Sequence, residues 1–320
     1  MPKNTLGLNA PELTTRPTNP DHILVFNRWD GYLAQYLYPS AAVSFVEMGP
    51  ELIISDSIEI EERSLVLLHF NVSRWGRLVA DIQDLLDTVK ENGGTVWNVR
   101  IRDIRKSVVQ DVARRIGLPT TGVGTGVPPD TPVLLKTELN ARGRPETRLS
   151  NAALERLGLS RLAEPVCAPE YQKLRAGELT LETWEDPRLH IERYIHRGDG
   201  TFYRVFFAGV RCILCEGRSQ AVIKRMEIAD GRQDFLLHRA LAGDALVSNM
   251  LGAPRAAVFA AAVVFSDAFG LDFGSIDLVV DDDDAVYVVD VNVTPYWGGR
   301  AVLDSYLEHL AGRPSQAAAH

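Results

Sequence analysis

Short apolar runs alternate with amphipathic stretches over the first hundred residues. His22-Ile-Leu-Val-Phe26, Leu52–Ile54, Ser64–Phe70 and Thr95–Val99 read as strands. Before the last of these, Leu78, Val79, Ile82, Leu85, Leu86 and Val89 recur at three- and four-residue spacings. That spacing predicts a helix over about 77–91, stopped by Asn92-Gly93-Gly94. Strand–helix–strand alternation of this kind predicts an α/β lobe with a largely parallel sheet.

A second helix is expected over about 104–116, ending at Gly117-Leu-Pro119. Thr120 to Pro132 is too rich in glycine and proline to be regular, and Val133-Leu-Leu-Lys136 follows as a strand. A helix is expected near 150–158, then a poorly patterned region around Pro165–Gly177. Beyond His190 the pattern predicts strands at 190–195, 202–208 and 210–216 and a short one near 220–225. Helices are predicted at 233–247 and 254–269, a hairpin over 272–293 and a last helix at 301–311. The first 20 residues read as a flexible lead-in, and Pro314 to His320 as a frayed tail.

Composition narrows the class. The chain has 320 residues, 46% hydrophobic and 24% charged, which is ordinary globular usage and excludes a disordered chain. Its net charge of −8 argues against general nucleic-acid coating and against an anionic membrane surface. No apolar run reaches the ~20 residues needed to cross a bilayer, and the N-terminus lacks a signal core, so a cytoplasmic address is expected. The 3 cysteines (Cys167, Cys212 and Cys215) are too few for a disulfide framework. The Cys212-x-x-Cys215 spacing has no second pair, and a strand would send its two sulfurs to opposite faces. Trp75, Trp184 and Trp297 are read as packing residues, Trp297 with the further option of lining a substrate pocket.

The chemistry concentrates in the hairpin. Two strands rich in valine flank the turn Asp281–Asp284, which is read as solvated and without chemistry. Alternation assigns Ile276, Leu278, Val280, Tyr287, Val289, Val291 and Val293 to one face, all core material. Ser275, Asp277, Val279, Val286, Val288, Asp290 and Asn292 fall on the other. With an even number of loop residues, Asp277, Asp290 and Asn292 converge across the strands; an odd loop breaks the arrangement. One such Asp alone is more simply a solvent-facing residue. Two carboxylates and an amide together among valines need positive charge between them, and magnesium, which takes hard oxygen ligands, fits.

Asp277, the step to Asp290, and Asn292 in Asp-Val-Asn-Val-Thr-Pro resemble the metal-binding end of the ATP-grasp enzymes. That superfamily includes D-alanine–D-alanine ligases, glutathione synthetases and the ribosomal-protein glutamate ligases. The resemblance covers about residues 22–312 and is strongest over the last 120. It implies an α/β (α+β) fold of three lobes, with the nucleotide between the central and C-terminal ones. The corresponding boundaries are 21–103, 104–189 and 190–312, between the lead (1–20) and the tail (313–320).

The resemblance also implies the remaining site residues. Lys106, after Asp103-Ile-Arg, is similar to a lysine that contacts nucleotide phosphate, and Lys136 to the one that reaches the α- and β-phosphates. Ile191-Glu192-Arg-Tyr194-Ile195 resembles the linker whose Glu192, with backbone at Tyr194 and Ile195, reads the adenine edge. Asp199 stands where a ribose-binding acid does, and Arg204 resembles a phosphate-side arginine. Glu216-Gly-Arg218 and Ile223-Lys224-Arg225 both lie where a further cation is supplied, and the choice between Arg218 and Arg225 stays open. The family's phosphate-covering loop is glycine-rich, whereas Thr137–Glu146 offers only Gly143; Arg142 and Arg144 could supply charge there or bind an acidic second substrate.

The implied cofactors are ATP and two Mg2+ ions, with Mn2+ as an alternative. The implied activity is a carboxylate–amine ligase that works through an acyl phosphate and releases ADP and phosphate. Its expected partners are small-molecule or peptide acids and amines, with no nucleic acid and no membrane; a homodimer is compatible. Arg28, Arg74, Arg144 and Arg300 are candidate substrate clamps, each more simply a surface arginine. The alternatives are a kinase of the same fold and a non-catalytic nucleotide-binding module. A Walker-type loop is excluded, because no Gly-Lys dipeptide occurs.

Overall fold

The computed structural model describes residues 20–27, 37–38, 40–53, 58, 60–164, 171–296, 306 and 309–310. Arg28, Cys167, Trp297, Arg300, the lead-in, the tail and most of the expected last helix lie outside these residues. Of that helix, Tyr306, His309 and Leu310 are described and helical.

Among the described residues the fold is mixed α/β, built on three sheets. The first is parallel, in the order β2-β1-β3-β4, from β1 (His22–Asn27), β2 (Ala42–Glu47), β3 (Leu65–His69) and β4 (Thr95–Trp97). Its two faces join two different cores. Leu24, Phe26, Val66 and Leu68 enter one, and Ile23, Val25, Leu65 and Leu67 the other, so the central strands read as unbroken apolar runs. Of the expected strand at Leu52–Ile54, Leu52 and Ile53 are irregular, with φ +53° at Leu52, and Ile54 lies outside the described residues. The sheet's outer strand is β2 instead, an apolar run (Ala-Val-Ser-Phe-Val-Glu) that the sequence reading passed over and that is mostly exposed at the sheet edge. The predicted helix over 77–91 has the expected buried face but breaks at Ile82 into α1 (Gly76–Asp81) and α2 (Gln83–Glu91).

The second sheet is antiparallel, in the order β6-β5-β7, from β5 (Pro132–Thr137), β6 (Gln172–Arg175) and β7 (Leu189–Arg193). Val133, Leu135 and Ile191 form a small core on one face with Trp184 packed against it. The opposite face carries Lys136, His190 and Glu192 by strict alternation. Helix α3 (Lys106–Arg115) precedes this sheet, and α4 (Asn151–Leu157) and α5 (Leu181–Glu185) lie within it in sequence.

The third sheet is antiparallel, in the order β10-β9-β8-β11-β12, from β8 (Thr201–Ala208), β9 (Arg211–Arg218), β10 (Asp230–His238), β11 (Phe273–Val280) and β12 (Val286–Asn292). β10 corrects the expected helix at 233–247. Its pairing with β9 overrides the helix-forming run Phe-Leu-Leu-His-Arg-Ala-Leu, and helix starts only at α6 (Ala245–Leu251). The expected short strand at 220–225 is irregular. Helix α7 (Ala253–Phe269) covers the face that carries Tyr203, Val205, Phe207, Ile276 and Leu278. Cys212 and Cys215 sit in different cores, as alternation requires, and burial pushes both thiols up to about 12. No helix among the described residues is long and apolar enough to cross a membrane.

Candidate functional site

The hairpin register decides whether the acidic residues meet. Val280 pairs with Val286, so five residues form the loop, an odd number. Continued regularly, that pairing would set Asp277 opposite Val289. Instead the ladder passes from Leu278↔Val288 to Asp277↔Asp290, with Val289 squeezed out as a β-bulge. The bulge restores the parity that the loop breaks, and Ser275 pairs with Asn292 beyond it. It also corrects the assignment of faces: Val286 and Val288 join Ile276, Leu278 and Val280 in the first core, while Tyr287 and Val289 pack against the second. Gly274 makes the close strand approach there possible. Its φ is +148°, and a Cβ would lie 2.4 Å from the Asn292 carbonyl oxygen.

Each carboxylate meets a cation of the chain itself. Arg204 lies opposite Asp277 across β8 and β11 and grips it with two bonds, Nε–Oδ1 at 2.6 Å and Nη2–Oδ2 at 3.0 Å. Its third nitrogen donates to Glu227 at 2.9 Å. Lys106, 1% exposed at the start of α3, places Nζ 2.5 Å from Asp290 Oδ1. Burial alone would lower the pKa of Lys106, but Asp290, with Tyr171 and Glu192, raises it overall. Burial opposes the charge of Arg204 in the same way, and Asp277 and Glu227 raise it overall.

Asn140, from the segment after β5, joins the two halves. Its Oδ1 accepts from Lys106 Nζ at 3.1 Å, and its Nδ2 donates to Asn292 Oδ1 at 2.7 Å. Its own backbone N–H donates to Ser73 Oγ at 2.8 Å. The segment that follows departs from a glycine-rich loop in composition yet adopts left-handed backbone at Ala141, Arg142 and Gly143, with φ of 47°, 62° and 69°. Arg142 stacks on Tyr171, and Arg144 is exposed.

Lys136 and Glu192 form the second buried ion pair, at 2.6 Å. Tyr194 is half-buried, stacked on His196 and covered by Lys173 at 4.1 Å from the ring centre; Ile195 packs against the second core. Asp199 is exposed and accepts from the Thr201 backbone N–H. Arg218 and Arg225 are both exposed, and Arg74 reaches Asp103 at 3.8 Å. The structure thus joins Lys106, Asp290 and Asn292 through Asn140, Arg204 with Asp277, and Lys136 with Glu192. It gives no direct bond from Gly143, Asp199, Arg218 or Arg225 to these groups.

Sequence reasoning missed Asn140, Glu138, His190 and Glu227. A polar residue every second position through an apolar strand was the available signal for Glu138 and His190, two residues from Lys136 and Glu192 respectively.

No protein-family model matches the chain, and no curated protein matches it. Solved structures do. The ATP-grasp ligase PsnB complexed with minimal precursor, Mg and ADP is 13% identical, with 91% of this chain and 96% of that one covered at a TM-score of 0.49. The chain is similar to ATP-grasp proteins. A RimK domain ATP-grasp protein from Sphaerobacter thermophilus is 11% identical, with coverages of 91% and 96% and a TM-score of 0.45. N5-carboxyaminoimidazole synthase from Aspergillus clavatus, in complex with ADP and a ribonucleotide, is 12% identical, with coverages of 93% and 78% and a TM-score of 0.46.

Proposed function

We propose that the chain is an ATP-dependent carboxylate–amine ligase of the ATP-grasp type, with lobes at about 21–103, 104–189 and 190–312. One observation carries the reading: Asp277 and Asp290 stand opposite each other, Asn292 is two residues on, and Lys106 and Arg204 flank them.

Two carboxylates and an amide oxygen are a hard-oxygen donor set, which suits magnesium. Asp277, Asp290 and Asn292 would hold it, with Mn2+ as the substitute, and the bound ion would offset phosphate charge as a Lewis acid. Among the described residues no cluster of three His, Cys, Asp or Glu offers a rival metal site. Lys106 and Lys136 bind the triphosphate oxygens once these compete with Asp290 and Glu192 for them. Arg204 holds Asp277 in place and adds positive charge on the phosphate side, with Arg218 or Arg225 as a further cation. In this reading Glu192, with backbone at Tyr194 and Ile195, would read the base, Asp199 would bind the sugar, and Gly143 would let backbone approach the phosphates.

The chemistry needs no protein nucleophile. A substrate carboxylate oxygen attacks the γ-phosphorus, and the bond from that phosphorus to the ADP oxygen breaks. The amine nitrogen then attacks the acyl carbon, phosphate leaves with the C–O bonding pair, and the amine gives up a proton. The chain contributes position and preorganised charge.

Screening amino acids and short peptides for magnesium-dependent ADP release tests the reading. Added hydroxylamine should yield a hydroxamate, which a kinase acting on a hydroxyl cannot give. Asn292→Ala should lower turnover by about 100-fold, since it removes a ligand without leaving a buried cation unpaired. Nucleotide binding without ADP release across the screen would favour the non-catalytic alternative.

A further inference from the structure

Asn292 differs in one respect from the two carboxylates beside it. A carboxylate presents oxygen whichever way it turns, whereas an amide presents oxygen on one side and N–H donors on the other. The terminal torsion of an asparagine is broad and roughly twofold, so the side chain does not choose between the two by itself. Only the oxygen suits a hard divalent cation. Ser275, opposite Asn292 in the β11–β12 ladder, gives no direction: among the described residues its buried hydroxyl has no hydrogen-bond partner.

Asn140 supplies the direction. Its Oδ1 accepts from Lys106 Nζ at 3.1 Å and from the Ala141 backbone N–H at 2.9 Å. An ammonium and a backbone N–H can only donate, so they fill both lone pairs of that oxygen and fix which way the Asn140 amide lies. Its Nδ2 is thereby turned to Asn292, where only an oxygen can accept, and Asn292 Oδ1 does so at 2.7 Å. The donor polarity of Lys106 passes through one amide and orients the next. The backbone N–H of Asn140 anchors this relay on Ser73 Oγ at 2.8 Å.

The same contacts leave room for a ligand. The Lys106 ammonium has three N–H groups, and Asp290 and Asn140 take two of them. The Asn292 oxygen has two lone pairs, and Asn140 takes one. A donor for a phosphate oxygen and a lone pair for a cation are left over.

We propose that Asn140 is a positioning residue of the metal–nucleotide site: bonded to Lys106 on one side and to Asn292 on the other, it holds Asn292 with Oδ1 available to the ion. The inference rests on the magnesium-nucleotide reading above. Asn140 acts through Asn292 and Lys106, and loss of such an outer partner of a metal ligand costs on the order of 10–100-fold in metal affinity.

Calorimetric titration of the full chain with ADP, once with Mg2+ and once with a chelator in its place, tests it. The ratio of the two dissociation constants isolates the magnesium-dependent part of the affinity. Asn140→Ala should lower that ratio by about tenfold. In an Asn292→Asp background the same substitution should change it by less than about twofold, because a carboxylate needs no partner to present oxygen. Simple loosening of the segment after β5 would lower the ratio equally in both backgrounds. That result, or no loss in either, would overturn the role of Asn140 and leave the nucleotide site standing. A wild-type affinity that is the same with Mg2+ and with the chelator would overturn the metal reading as well. Where a variant folds or binds poorly, NMR of the unmutated protein decides. An Asn140 side-chain amide that stays protected from exchange with water when Mg2+ and ADP are bound supports the proposal, and exchange at the rate of a free amide in that complex refutes it.

Discussion

An ammonium group as deeply buried as Lys106 is tolerable only beside a carboxylate, and removing one partner of such a pair typically costs about 3–5 kcal/mol. Asp290 is part-exposed, so Asp290→Asn should destabilise by about 3 kcal/mol, visible as a lower urea midpoint. Lys106→Met combined with Asp290→Asn should recover most of that loss, since no unpaired charge remains. An equal loss in the double variant would show that packing, not charge, holds this contact. His69 supplies a pH signature. Burial against Phe273 lowers its pKa to about 4, from 6.5. A lowered folded-state value means stability is complete above pH 6.5 and declines as pH falls toward 4, because the unfolded chain takes up the proton first. The contribution is about 3 kcal/mol, and His69→Gln should flatten that limb when urea midpoints are compared at pH 7 and pH 4.5. The candidate site was legible where charge interrupts apolar strands: Asp277, Asp290, Lys136, Glu192 and Arg204 stand out against valine and phenylalanine. His190 and Glu138 carried the same signal more faintly, one at a strand's start and the other past a strand's end, where polar residues are ordinary. Asn140 had no signal, because its partners are distant in sequence.

At the scale of elements, the hairpin shows what counting alone misses. Its two strands and facing acids were readable from alternation, but the parity rule needed the loop length, and the five-residue loop has the wrong parity. The bulge at Val289 corrects it, and a β-branched residue between Val288 and Asp290 gives no sequence cue for a bulge. β10 was misread for a related reason. Strand pairing at a sheet edge depends on a neighbour that local periodicity does not contain. The segment after β5 is held by Glu138 and Glu146, which accept from Ser107 and the Ser73 N–H, and by Asn140, which bonds Lys106, Asn292, Ser73 and the Ala141 N–H. Asn140→Ala removes the bonds to Lys106 and Asn292, each worth about 1 kcal/mol, and should open the segment about thirtyfold more often. Limited trypsin cleavage after Arg142 reads this directly. An unchanged cleavage rate would mean that the left-handed backbone at 141–143 is held by its other contacts.

At the scale of the whole molecule, the proposed nucleotide site draws on two sheets and a helix that no single core unites. Lys136 and Glu192 come from the three-stranded sheet, Arg204, Asp277 and Asp290 from the five-stranded one, and Lys106 from α3. The Lys106–Asp290 bond and the bond from Gln110 to the Val288 carbonyl at 2.9 Å are the polar ties between α3 and β12. A ligand spanning the gap would add contacts to both sheets at once, and a ligand that binds only the folded chain stabilises it by mass action. At a hundred times its dissociation constant, that gain is about 2.7 kcal/mol. For a chain of this size it corresponds to a rise in melting temperature of roughly 5 °C. Differential scanning fluorimetry with ADP should show the rise in the presence of Mg2+ and lose most of it when a chelator is added. An equal rise with the chelator would place the nucleotide on the lysines alone and remove the metal role from Asp277, Asp290 and Asn292. Because the bound phosphates compete for Lys106, the Asp290→Asn variant should also lose the magnesium-dependent part of the shift while Arg218→Ala keeps it, which separates the acidic hairpin from the exposed arginine at the end of β9.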